Sequence, residues 1–120
     1  MFAGLGAVFA LLAVAAGAFG AHTLRAGLGP DIALFETAAR YQMYHGLGLL
    51  VIAWAITRRP LRLLNWAGWL MVAGTILFSG SLYSLALTKL RWMGAVAPLG
   101  GLALISGWLC LSVAMFRRSP

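Results

Sequence analysis

Carboxylates are almost absent from this chain: Asp31 and Glu36 are its only two acids among 120 residues, and all charged residues together make up 9%. A soluble domain normally carries a quarter of its residues as charges, so this composition excludes one. Cysteine is nearly missing as well. Cys110 stands alone inside an apolar run, which rules out an intrachain disulfide and any cysteine-based metal site. Histidine is confined to His22 and His45. Phosphate-binding loops are missing too, since neither GxGxxG nor GxxxxGK occurs among the fifteen glycines.

What fills the space is hydrocarbon. Apolar residues make up 62% of the chain, in four uncharged stretches bounded by Arg25, Arg40, Arg58, Arg62, Lys89, Arg91 and Arg117. Each stretch approaches the length that a helix needs to cross a hydrocarbon core of roughly 30 Å. The sequence therefore predicts one all-α, integral membrane four-helix bundle, with spans at about 2–21, 40–57, 63–87 and 93–116. A short amphipathic, interfacial helix start, opened by Pro30 and Asp31, is expected before the second span.

The net charge of +7 does not point to nucleic acid, because the cations fall at segment ends and not along a helix face. They read as topology signals and headgroup anchors, making the lipid bilayer the first partner. Ala18 and Gly20 before Ala21 mimic a signal cleavage pattern, but no cation precedes the run, so no cleavage is expected. One face of the bilayer should hold Arg58, Arg59, Arg62, Arg117 and Arg118, and the other Arg25, Arg40, Lys89 and Arg91. The concentrated triplet favours a multi-pass protein of the cell inner membrane with both termini cytoplasmic.

Polar residues within the apolar segments are the candidates for chemistry. Glu36 and Arg40 are spaced to pair on one helix face, as are Tyr41 and His45, with Gln42 between. His22 and His45 are expected at the same side of the membrane, where they offer a weak haem, quinone or metal site. Ser79, Ser81 and Tyr83 form a second patch, read as helix contact and not as a hydrolase nucleophile, for which no base lies near. Gly17, flanked by Ala13 and Ala21, and Gly80 are expected to permit close helix packing, and Pro98 with Gly100 and Gly101 to kink the last helix.

Four segments taken together, Gly17 to His22 (GAFGAH), Tyr41 to His45 (YQMYH), Leu77 to Tyr83 (LFSGSLY) and Pro98 to Gly101 (PLGG) running on to Gly107 and Trp108, resemble the domain of unknown function 423 family. This family of small four-span proteins includes the transmembrane protein 256-like proteins. The chain departs from the family pattern at Ala97, where threonine is usual. The resemblance implies a four-helix membrane protein without an established activity and directs attention to His22, Glu36, Tyr41, Gln42, His45, Ser79, Gly80, Ser81, Tyr83, Pro98, Gly100 and Gly101. The leading expectation is a non-enzymatic protein that acts as a homo-oligomer or as a small subunit or assembly partner of a membrane complex, with no catalytic residue, metal or cofactor. The alternatives are a small transporter or channel with a polar path near Glu36, His45 and Tyr83, and a haem- or quinone-binding subunit using His22 and His45.

Overall fold

A computed structural model describes residues 1–117, so Arg118 lies outside the described residues. Helix is the only regular structure among them: α1 is Phe2–Phe19, α2 Arg25–Leu28, α3 Ile32–Arg58, α4 Arg62–Thr88 and α5 Met93–Phe116. The array measures 55 × 26 × 19 Å.

Three continuous helical runs, Phe2–Arg58, Arg62–Thr88 and Met93–Phe116, are long and apolar enough to cross a membrane. This differs from the expectation of four rods parted by three breaks. The stretch from Gly20 to Asp31 does not uncoil but passes through a π turn at Gly20–Leu24, the single turn of α2 and a 3₁₀ turn at Gly29–Asp31. The second long helix accordingly begins at Ile32, well ahead of the charge-free stretch.

Gly29 redirects the chain within that first run. Its φ of 56° and ψ of −127° lie where a Cβ is not tolerated, so only glycine turns the backbone here without strain. The two arms then fold together. Gly20 faces the Phe35 ring, and Gly6 meets the backbone of Gly46 so closely that a Cβ on Gly6 would lie 2.5 Å from the Gly46 carbonyl oxygen. As α1 descends, α3 ascends, and the pair is antiparallel.

At the other turn, Pro60 has no N–H to give and Arg59 is extended, so α3 ends at Arg58 and α4 starts at Arg62. Lys89 stops α4 in a left-handed conformation with φ of 62°. The helix order in space is α1 on α3, α3 on α4, and α4 on α5. α3 and α4 form the centre, while α1 buries only Phe2, Gly6 and Ala13.

Hydrocarbon gives no hydrophobic drive for helices to associate, so close van der Waals fit and interhelical hydrogen bonds must hold them. The fit is dense around Leu49, Ile52, Leu64, Met71 and Leu111, toward the Arg58 end. A smaller cluster joins Ala38, Leu82 and Ala97 toward the Lys89 end. Between the two clusters lies a belt of buried polar side chains.

Candidate functional site

Gln42 is the hub of that belt. Its Nε2 donates to the Phe9 carbonyl of α1 at 3.0 Å, and its Oε1 accepts the Tyr83 hydroxyl of α4 at 2.8 Å. One amide thereby ties three helices. Ser79 adds a second α3–α4 tie by donating to the Ala38 carbonyl at 2.8 Å.

His45 joins α3 to α5. Its Nδ1 lies 2.6 Å from the Tyr41 carbonyl, which can only accept, and its Nε2 accepts the indole N–H of Trp108 at 3.0 Å. These partners fix the Nδ1–H tautomer and occupy both ring nitrogens. Tyr41 and His45 are neighbours as expected, although the bond runs to the Tyr41 backbone and not to its phenol. Thr75 and Ser81 are also buried in the belt, and the Thr75 hydroxyl finds no partner among the described residues.

Several expected relationships are corrected. Glu36 pairs with Arg25, at 3.1 Å, and not with Arg40, because the turn after α1 brings that arginine over the first turns of α3. Arg40 instead reaches the Thr37 hydroxyl at 3.4 Å. Asp31 is taken up by Lys89. The two histidines do not approach: Gly20, beside His22, packs at Phe35, whereas Gly46, beside His45, packs at Gly6. The rise of α1 from Gly6 to Gly20, about 20 Å, separates the two levels. With His22 exposed and both His45 nitrogens occupied, no shared haem or metal site forms from them. Among the described residues, no cluster of three or more histidine, cysteine or acidic side chains has metal-holding geometry.

The glycines divide. A Cβ on Gly100 would lie 2.4 Å from the Phe78 nitrogen, so α5 rests on α4 there. Gly17 and Gly80 have nothing within 4 Å of such an atom, and neither serves packing inside the chain. A Cβ on Gly101 would lie 3.9 Å from the Phe78 ring, an ordinary contact. Ala13 is buried but Ala21 is exposed, so the contact strip of α1 is Gly6, Ala13 and Gly20 and not the expected Ala13, Gly17 and Ala21. α5 runs unbroken through Pro98, whose ring faces outward. Ser81 bonds its own helix at Phe78.

Trp108 is the residue that the polar pattern alone did not assign a role. The available signal was its position deep in an apolar helix, where an indole N–H needs an acceptor. It also walls a groove of about 550 Å³ between α3, α4 and α5, shared with Tyr41, Tyr44, His45, Phe78 and Leu104. Tyr41 packs against Phe78 with ring centroids 4.8 Å apart and planes tilted by 34°.

This constellation of Gln42, His45, Ser79, Tyr83 and Trp108 falls largely within a stretch that matches a known family. Residues 16–101 match the model described as "Protein of unknown function (DUF423)". The chain belongs to this family. A UPF0382 membrane protein of Staphylococcus haemolyticus is 48% identical over 118 residues, covering 98% of this chain and 96% of its own. Another UPF0382 membrane protein, from Staphylococcus epidermidis, is 50% identical over 114 residues, with 94% and 93% covered. That of Bacillus subtilis is 47% identical over 116 residues, covering 94% of each. No solved structure shows a significant match. The chain is thus a member of a membrane-protein family, and its buried polar residues fall within the matched stretch, whereas their partners Trp108, partly exposed, and the Phe9 carbonyl lie outside it.

Proposed function

We propose that this protein is a non-enzymatic four-pass protein of the cell inner membrane, built to bind other helices within the bilayer as a small subunit or assembly partner. In this reading the first helical run makes two passes, α1 and α3, because Gly29 folds it back and the arms pack antiparallel. Both termini then share the cytoplasmic side with the Arg58 to Arg62 corner.

One observation carries the partner role. Apart from the Thr75 hydroxyl, the inward polar groups are consumed by the chain itself, whereas α1 turns Ala3, Gly4, Ala7, Ala15 and Ala18 outward with only its inner strip used. Small residues let helix backbones approach closely, and here they face away from the protein's own interior. The polar belt supports transport poorly, since Gln42, His45 and Tyr83 bond one another's helices and Glu36 is held by Arg25 at the end of the array.

Purification in mild detergent followed by light scattering tests the proposal. A stable oligomer or hetero-complex is expected, and a leucine at Gly4 should dissociate it without unfolding the chain. A monomer that keeps its helices and recovers no partner would overturn the reading.

A further inference from the structure

Charge is distributed unequally between the two ends of the molecule. Both acids of the chain are used at one end, Glu36 by Arg25 and Asp31 by Lys89. Arg58, Arg59 and Arg62 stand at the opposite end. The rise of α3 between Asp31 and Arg58 is about 40 Å, several times the screening length of about 8 Å at physiological salt. No side-chain carboxylate of this protein neutralises that corner.

The corner is also shaped. Arg58 lies over the Trp54 ring, 5.8 Å from its centroid. The turn is fixed by the Arg59 N–H donating to the Ala55 carbonyl at 2.9 Å and the Leu61 N–H donating to the Arg59 carbonyl at 2.8 Å. On one side, Trp54, Arg58, Arg59, Leu61, Ala114 and Met115 line a cleft of about 120 Å³. On the other, Arg62, Asn65, Trp66 and Trp69 line a groove of about 180 Å³. Each recess combines a guanidinium with indole, and the first adds aliphatic walls, which suits a phosphate above and an acyl chain below. The start of α4 adds to the positive potential, since its first turn holds no acid and no side-chain cap.

We propose that the Arg58–Arg62 corner binds an anionic phospholipid with two phosphates, of the diphosphatidylglycerol class, one phosphate at Arg58 and Arg59 and the other at Arg62. The lipid supplies the counter-charge that the sequence lacks, and its chains lie along the tryptophan-lined recesses. A lipid with one phosphate fills only one recess and binds more weakly.

Native mass spectrometry of the full chain, released from detergent with added diphosphatidylglycerol, phosphatidylglycerol or phosphatidylcholine, tests this. A one-to-one diphosphatidylglycerol adduct is expected to survive where the phosphatidylcholine adduct is stripped, with about a tenfold preference over phosphatidylglycerol. The R58Q/R59Q/R62Q variant should lose that preference, and R91Q at the other end should keep it. Inorganic phosphate at tens of millimolar should not displace the lipid. Equal retention of all three lipids by the native chain, or equal loss in R91Q, would overturn the proposal. Displacement by phosphate alone would reduce the corner to a general anion site. The native-chain lipid comparison decides the matter even if the triple variant fails to fold.

Discussion

Trp108 donates its indole N–H to Nε2 of His45 across 3.0 Å, and this bond is the polar tie between α5 and α3. Because the other imidazole nitrogen is committed to the Tyr41 carbonyl, the ring has no spare lone pair. Replacing Trp108 with Phe keeps an aromatic wall but leaves a buried acceptor unpaired. That should cost about 1–3 kcal/mol. Trp92 makes no side-chain hydrogen bond among the described residues and is more exposed than Trp108, so Trp92→Phe should change little. Reversible unfolding in mixed micelles measures both, and equal effects would show that the His45 bond carries no weight.

Gln42 offers a coupled test. Gln42→Leu removes the bonds to Phe9 and Tyr83 together, while Tyr83→Phe removes only the second. A double-mutant cycle between these positions should give a coupling of about 0.5–2 kcal/mol, in the range for interhelical bonds in membranes. Gln42→Leu should also lower the midpoint more than Tyr83→Phe does. Additive losses would mean that the phenol and the amide do not share a bond in the bilayer.

The residues involved show what sequence reading can reach. Spacing along one helix placed Tyr41 beside His45, and hydropathy marked where the long helices run, because both depend on local period. An i,i+4 rule pairs Glu36 with Arg40 because it is local and carries nothing of the turn that delivers Arg25. The expectation that His22 and His45 share one side of the membrane takes residue 40 as the start of the second span, whereas α3 is one helix from Ile32 to Arg58 with His45 near its middle. The separation of Gly100, which touches Phe78, from Gly17 and Gly80, which touch nothing, depends on helix rotation. Composition does not carry that information.

The same division of glycines separates packing inside the chain from packing outside it. Gly100→Ala drives a methyl to 2.4 Å from the Phe78 backbone and should destabilise by about 1–3 kcal/mol. Gly17→Ala and Gly80→Ala meet open space and should be neutral, or stabilising by up to about 1 kcal/mol through helix propensity. Thermal melts in detergent report the difference. If Gly17→Leu leaves the melt unchanged but shifts the elution volume of the assembled protein, that face is where a partner sits.

Membrane topology is the sharpest test of the four-pass reading, since the first helical run is continuous through π, α and 3₁₀ turns. Were the run a single pass, position 27 and the Arg58–Arg62 corner would lie on opposite sides and the N-terminus with position 27. If Gly29 folds it into two passes, the N-terminus and the corner share one side, and position 27 joins Leu90 on the other. In a Cys110→Ser background, single cysteines at Gly27, Pro60 and Leu90 can be labelled with a membrane-impermeant maleimide in intact cells. Labelling at 27 and 90 with protection at 60, together with a protected N-terminal tag, is the expected pattern. A reactive tag beside a reactive position 27 would require the Gly6–Gly46 contact to open in the bilayer, and the antiparallel α1–α3 pair with it.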